Sequence, residues 1–401
     1  MKYKSTLLAL SCILYTFCVN AQELDSMLLK SSEVLQQEKI HLHFDRSIYN
    51  KGETIWYKAY LVAGDDLSDY SKTMYFDWYD ENGNLLKHIS AAIFESTARG
   101  QFNIPEKYKG QSLHVKAYTN WMLNFDKAFL YNRDIKVYQS WANKKSITKP
   151  ITKVHFFPEG GNMIAGINTK IAFKATNQKG LPVTIKSGVI KNITKAKDEV
   201  TFKSVHDGMG FFFVNPSNTS DSLVAYWQDE YDNKGVTPLP KIIATGATIT
   251  VNLEDGNLLV KVARNETANE DLKTLHIITH FHQQPFAKAT INLTEKTSAI
   301  ARIPLTDVPT GVLEVTLFNK EWLPVAERIV FINNHQYEFS PFIHSLTKGL
   351  GKRQLNVYEI EVSDSIKSNM SLSVTDAEAD NDSTYNIFSE LLLTGDLKGY
   401  V

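Results

Sequence analysis

Histidines at alternating positions are the residues of this chain whose spacing comes closest to metal chemistry. His276, His280 and His282 are two and four residues apart, so an extended backbone turns them to one strand face, and imidazole is a good ligand for zinc or copper. At about 3.3 Å per residue the outer pair is about 20 Å apart, so only His280 and His282 could share an ion. His41, His43 and Asp45 repeat the pattern with neighbours about 7 Å apart, and chelation there needs a ligand from elsewhere. Both sets read first as polar residues on the outer face of a strand. Asp45, Arg46, Tyr49, Gly52 and Glu53 form a denser polar cluster. They are expected to be structural: Gly52 takes a backbone conformation costly to other residues, and Asp45 accepts backbone hydrogen bonds in a corner. Glu53 is expected to matter less to stability than Gly52. The chain has no Gly-x-Ser-x-Gly elbow, no His-Glu-x-x-His, and no phosphate-cradling Gly-x-x-x-x-Gly-Lys. No catalytic, cofactor-binding or metal residue is therefore assigned, and no enzyme activity is expected. Trp56, Trp78, Trp121, Trp141, Trp227 and Trp322 offer another chemistry, flat platforms for sugars or anchors for peptides. Four lie in or beside strand patterns, where core filling is the ordinary role, and Trp141 in a polar linker is least explained by packing.

The elements that carry these residues read as β-strands. Ile40, Leu42 and Phe44 alternate with Lys39, His41 and His43, residues 50–52 supply turn chemistry, and residues 54–62 form an aromatic and branched run. Asn82-Gly83 sits between two strand-like runs as a hairpin turn. Similar strand and turn patterns recur about every 100 residues, the size of one sandwich. Residues 303–318 echo 104–118: Ile-Pro, then Gly, then alternating apolar positions. The organisation expected is residues 1–21 a signal peptide, 22–37 a helical spacer, 38–140 a first β-sandwich, 151–241 a second, 247–334 a third, 335–378 a partial fourth, and 379–401 a C-terminal helix. Strands are expected at 355–362 and 371–377, and a capped amphipathic helix at 383–397, whose Leu-rich side needs something to cover it.

The first residues pair Lys2 and Lys4 with an apolar run from Leu7 to Phe17 and the small residue Ala21, a leader cleaved before Gln22. That run is too short to span about 30 Å of hydrocarbon. Both cysteines, Cys12 and Cys18, fall inside it, leaving neither thiol nor disulfide beyond the cleavage point. A net charge of -1 and the lack of a basic cluster give no footing for nucleic acid. No second apolar stretch is long enough to span a bilayer, so the chain is not read as an integral helical membrane protein.

The segment His43 to Tyr60, with its Asp45-Arg46-x-x-Tyr49-x-x-Gly52-Glu53 core, and the segment Leu317 to Asn333, with Val325-Ala-Glu-Arg-Ile-Val-Phe331, resemble the macroglobulin-type domains of Gram-negative envelope proteins. Across about residues 38–400 the motif order is similar to proteins in which such domains precede a TonB-dependent-receptor plug. The resemblance implies an all-β fold of tandem macroglobulin-like (Ig- or fibronectin-like) β-sandwiches with short terminal helices. It implies a non-catalytic extracytoplasmic protein, secreted across the inner membrane, that binds an outer-membrane or periplasmic protein partner without a cofactor. This chain carries no plug after residues 396–401, which leaves receptor transport in question. One alternative is an alpha-macroglobulin-like endopeptidase inhibitor, although a thioester trap needs a cysteine that leader cleavage removes. A carbohydrate-binding module, with a glycan as ligand, is the other.

Overall fold

The computed structural model describes residues 30, 36–64, 66–138, 150–178, 180–195, 197–282, 284–338, 341–362, 368–375 and 386–397. The leader, nearly all of the expected spacer helix, Trp141 and the expected helix start at Ser383 lie outside them. The chain forms two compact units: one comprises residues 37–143 with 333–399, the other is built on 144–332.

In the first unit, strands β1 (Glu38–Phe44), β2 (Ile48–Asn50), β3 (Thr54–Ala63), β4 (Asp66–Leu67), β5 (Thr73–Tyr79), β6 (Leu85–Ala92), β7 (Thr97–Asn103), β8 (Ser112–Thr119) and β9 (Tyr131–Tyr138) make a sandwich. One sheet pairs β1, β7 and the short β4 with β3, and the other runs β2-β9-β8-β5-β6. Period-2 alternation fills the interior. Ile55, Tyr57, Ala59 and Leu61 of β3 are buried while Trp56 is exposed, and Ile40, Leu42 and Phe44 of β1 point inward. Trp78 and Phe76 of β5 are fully buried, and Trp78 stacks on Phe102 with centroids 4.5 Å apart. At the β5–β6 hairpin, the Asp80 carboxylate accepts from the Asn82 and Asn84 backbone at 2.9 and 2.8 Å, and Gly83 takes φ +84°.

The second unit holds two sandwiches. The first is built from β10 (Lys153–Pro158), β11 (Met163–Ile164), β12 (Thr169–Thr176), β13 (Ile185–Asn192), β14 (Lys197–Phe202), β15 (Met209–Val214), β16 (Leu223–Asp229), β17 (Lys234–Pro238) and β18 (Ile242–Ile243). The next is built from β19 (Ala247–Glu254), β20 (Asn257–Arg264), β21 (Thr274–Phe281), β22 (Gln284–Asn292), β23 (Ser298–Pro304), β24 (Gly311–Phe318) and β25 (Pro324–Ile332). Their sheets run β10-β12-β15 with β14-β13-β16-β17, and β19-β20-β23 with β22-β21-β24-β25. The first sandwich contains the same pattern, β1-β3-β7 facing β6-β5-β8-β9, so all three share one seven-strand topology. The sequence echo between residues 104–118 and 303–318 has this physical cause: β8 and β24 are the same central strand in two copies. The two sandwiches of this unit meet at the Pro158–Gly161 turn. The Glu159 carbonyl accepts from Thr248 Oγ1 at 3.1 Å, and its carboxylate accepts from the Val251 N–H at 3.3 Å and lies 3.5 Å from Arg328 Nε.

Residues 335–378, expected as a partial fourth sandwich, contain one hairpin among the described residues, β26 (Phe342–Lys348) with β27 (Asn356–Glu361). Residues 371–375 were expected in a strand and carry none. Ser371 instead meets side chains of the first sandwich, so alternation there reflects contact with a neighbouring surface rather than a ladder. The C-terminal helix α1 (Ile387–Leu392) is capped by Asn386, whose side chain accepts from the Ser389 N–H. It is shorter than its apolar pattern indicates, and a 3₁₀ turn over Thr394–Asp396 follows it. Its Leu-rich side is covered in part: Leu391 is buried, Phe388, Leu392 and Leu393 are half-buried, Ile387 is exposed, and Glu390 reaches β1.

Candidate functional site

All five residues singled out at the Asp45–Glu53 corner converge in the structure. β1 ends at Phe44, the chain turns, and β2 enters the other sheet by pairing in parallel with β9 at Ile48–Lys136 and Tyr49–Val137. The corner thus joins the two layers, and its polar groups close on one another. Tyr49, 1% exposed, donates its hydroxyl proton to Asp45 Oδ1 at 2.6 Å, and its oxygen accepts from the Arg46 N–H at 3.0 Å. The same Asp45 oxygen accepts from the Trp56 N–H at 2.9 Å. Arg46 donates to Glu53 Oε2 at 3.1 Å and to Asp45 Oδ2 at 3.4 Å, and its guanidinium lies over the Tyr49 ring at 4.8 Å. Gly52, at φ +80°, donates its N–H to the Ile104 carbonyl at 3.1 Å.

Glu53 does more than expected of it. Its carboxylate accepts from the Asn50 N–H at 2.7 Å and Asn50 Nδ2 at 3.3 Å as well as from Arg46, so it caps the turn. Partial burial pushes this carboxyl up, but the hydrogen bonds from Asn50 and Arg46 outweigh burial and hold it below its ordinary value. Burial, reinforced by the Asp45 hydrogen bond, pushes the Tyr49 phenol far above its ordinary range. The cluster is knit by hydrogen bonds among its own side chains and to the neighbouring backbone, the arrangement of a structural joint.

The outer face of β1 is a second concentration of polar groups. Lys39, His41 and His43 were expected to meet solvent; instead Lys39 and His41 are 2% and 5% exposed. Each meets the C-terminal segment in order along the strand. Lys39 Nζ lies 3.0 Å from Asp396 Oδ2, His41 Nδ1 is 2.5 Å from Glu390 Oε2, and His43 Nδ1 is 2.6 Å from Ser371 Oγ. The neighbouring β3 contributes Tyr60, which donates to Ser371 at 2.8 Å, and Lys58, which donates to the Met370 carbonyl at 2.9 Å. Burial, with His41 and Arg133 nearby, pushes the His43 imidazole down. The alternation Lys39, His41, His43 was visible in the sequence. Their partners, more than 300 residues away, carry no local signal.

The other histidine set is dispersed. The register shift between Thr279 and His280 comes from an extra residue, Phe286, in β22, while β21 runs unbroken against β24; His276 and His280 therefore keep one face, and His282 lies beyond the strand at φ +47°. His276 stacks on Trp322 with centroids 4.1 Å apart, and its Nδ1 lies 3.0 Å from Thr290 Oγ1. Burial pushes His280 down, against an opposing pull from Glu327. Among the described residues no group of three or more His, Cys, Asp or Glu is arranged to hold a metal, and no helix is long and apolar enough to cross a membrane. Of the tryptophans, Trp78 and Trp227 fill cores, Trp56 is exposed, and Trp121 and Trp322 are half-buried.

No family model matches the sequence, and no curated protein matches it. Similar solved structures include Salmonella alpha-2-macroglobulin reacted with methylamine, at 9% identity and a TM-score of 0.23 over 77% of this chain and 24% of that one. Trypsin-activated alpha-2-macroglobulin from Escherichia coli is similar at 11% identity and a TM-score of 0.25, over 77% and 25% of the two chains. The Yersinia pseudotuberculosis adhesin InvE is similar at 9% identity and a TM-score of 0.18, over 55% and 66%. This chain spans about a quarter of the length of the two alpha-2-macroglobulins. Likeness this slight carries no functional weight.

Proposed function

We propose that this is a non-catalytic extracytoplasmic protein with macroglobulin-type domains, which binds a protein partner at the outer membrane as the N-terminal part of a TonB-dependent-receptor-like protein. The observation that carries the reading is the Asp45–Glu53 corner. The residues by which the sequence resembles macroglobulin-type domains are those that knit the first sandwich together, through bonds among Asp45, Arg46, Tyr49, Asn50 and Glu53. The leader-like residues 1–21 support export, and three sandwiches of one topology support a role in spacing and binding. The test is fractionation of cells expressing the full chain, followed by cross-linking and identification of what is captured. Recovery with the outer-membrane fraction, joined to an outer-membrane protein, supports the reading. Recovery in the cytoplasm overturns it. A trypsin assay separates the inhibitor alternative, because entrapment removes activity on a large protein substrate and spares a small chromogenic one.

A further inference from the structure

A groove beside β5 and β8 plays no part in the corner or in the covered face of β1. The antiparallel register sets Met74 opposite Thr119 and Tyr75 opposite Tyr118. The chain entering β5, residues 70–73, therefore runs beside the chain leaving β8, residues 120–124. The second wall is a 3₁₀ turn, Trp121–Asn124, in which the Met122 N–H donates to Thr119 Oγ1 at 3.2 Å and the Leu123 N–H to the Asn120 carbonyl at 3.3 Å. Beneath the groove lies Glu38, 0% exposed, whose carboxylate ties the walls together. It accepts from Ser71 Oγ at 2.8 Å on one side and from Thr119 Oγ1 on the other, with Ser68 Oγ at 2.5 Å as a third donor. A shape held this way from below exists before any ligand arrives.

The cavity measures about 400 Å³, inside the roughly 300–1,000 Å³ of small-molecule sites. Its lining includes Tyr70, Lys72, Tyr75, Asn120, Trp121 and Asn124. Tyr70 and Trp121 lie 5.6 Å apart at 34°, and Tyr75 stacks with Tyr118 at 5.5 Å, so broad aromatic surface borders the site. Two carboxamides stand beside it, each offering donors and an acceptor. Among the described residues no carboxylate lines the groove, and carboxylates are the usual ligands of a hard cation. The single cation, Lys72, already donates to the Asp69 carbonyl at 2.7 Å, so no anion-binding cluster forms. Asn120 Nδ2 donates to the Tyr75 hydroxyl at 3.4 Å and Asn124 Nδ2 to the Trp121 carbonyl at 3.0 Å, which fixes both carboxamides at the rim and leaves each a second N–H to offer a ligand. A sugar ring matches both halves of the lining, because one face is C–H and its rim of hydroxyls donates and accepts. We propose that this groove binds a neutral saccharide, with the C–H face on Trp121 and Tyr70 and hydroxyls on Asn120 and Asn124, and that Glu38 is a positioning residue for both walls.

The test titrates the full chain with soluble cello-, xylo-, manno-, chito- and malto-oligosaccharides. Calorimetry gives affinity, and the indole N–H resonances report which tryptophan is touched. At least one oligosaccharide is expected to bind and to shift the Trp121 indole. Trp121→Ala should weaken binding at least about tenfold, and Asn124→Ala, a milder change at an exposed position, about threefold or more. Trp56→Ala, at an exposed ring on β3, should leave it unchanged. If Trp121→Ala loses the native dispersion of the spectrum, Asn124→Ala decides alone. The proposal is overturned if no oligosaccharide in the panel binds at millimolar concentration. It is equally overturned if Trp56→Ala weakens binding as much, or if a decaproline peptide binds in a Trp121-dependent way and the sugars do not.

Discussion

Replacing Tyr49 by Phe removes one oxygen atom and changes nothing else in the covalent outline of the first sandwich. That oxygen is a donor to Asp45 Oδ1 at 2.6 Å and an acceptor for the Arg46 N–H at 3.0 Å, on a side chain 1% exposed. A hydrogen bond to a charged acceptor contributes about 1.5–3 kcal/mol, and part of the acceptor's need is still met here by the Trp56 N–H. The orphaned Arg46 N–H sits in a half-buried turn where water recovers some of its loss. Together these put Tyr49→Phe at about 2–3 kcal/mol, or roughly 4–12 °C in melting temperature for a unit of this size. Thermal unfolding followed by near-ultraviolet circular dichroism at pH 7 measures it. The same variant carries a pH signature. The folded phenol titrates above its unfolded value of about 10, so the group's stabilising contribution is complete below about pH 10 and is lost as pH rises beyond it. The parent should therefore lose more stability than Tyr49→Phe on going from pH 9 to pH 11. A melting temperature within about 1 °C of the parent at pH 7 would refute the idea that the corner holds the sandwich together.

Gly52→Ala forces a side chain to φ +80°, where its Cβ also meets the Glu106 carboxylate at 2.6 Å, and should cost about 1–3 kcal/mol. Gly83→Ala, at φ +84° with open space around it, should show the backbone share alone, and an equal loss for both would mean that Glu106 swings aside freely. Glu390→Ala leaves His41 without its carboxylate partner and should cost about 1–3 kcal/mol, read as faster cleavage of residues 386–397 in limited proteolysis; unchanged protection would sink the contact. Burial pushes the Asp221 carboxyl up, but bonds from Lys195, Asn192 and the Asn218 and Ser217 backbone prevail and bring it down to about 2. Its contribution is present above the unfolded value of about 4 and lost as pH falls toward about 2, so Asp221→Asn should lower stability at pH 7 and flatten its fall between pH 4 and pH 2 in acid titrations.

The strands were legible because alternation is a local code: Ile55, Tyr57, Ala59 and Leu61 announce a buried face without reference to anything beyond β3. The corner was legible for the same reason, since Asp45, Arg46, Tyr49, Asn50 and Glu53 fall within nine positions and their side chains bond to one another, although the Trp56 N–H and the Ile104 carbonyl that complete it lie outside that window. The shared strand order explains why the echo was audible at β8 and β24, which lie at the centre of their sheets. Three things were not legible. The burial of Lys39 and His41 depends on Asp396 and Glu390, and no window along the sequence contains both ends of such a pair. The end of β21 at Phe281 is set by its turn into β22, and with His282 at φ +47° the even spacing that placed three histidines on one face stops at His280. The groove at Trp121 arises from the pairing of β5 with β8 and from Glu38 below it, residues scattered over more than 80 positions.

The separation between β1 and the segment that covers it has a consequence in time. His41 and Glu390 are 349 residues apart, and Lys39 and Asp396 are 357 apart. At about 5–20 residues per second a ribosome needs roughly 20–70 s to make the intervening chain, far longer than a β-sandwich of about 100 residues takes to fold. Wherever the chain emerges from its N-terminal end at such a pace, on the ribosome or across a membrane, the first sandwich forms with Lys39 and His41 wet and dries them when Glu390 and Asp396 arrive. During that wait the bare face is indifferent to whose tail it receives. Two chains made close together can exchange tails across it, each closing the other's sandwich with the same contacts. A dimer formed this way would depend on how crowded synthesis is rather than on how concentrated the finished protein becomes.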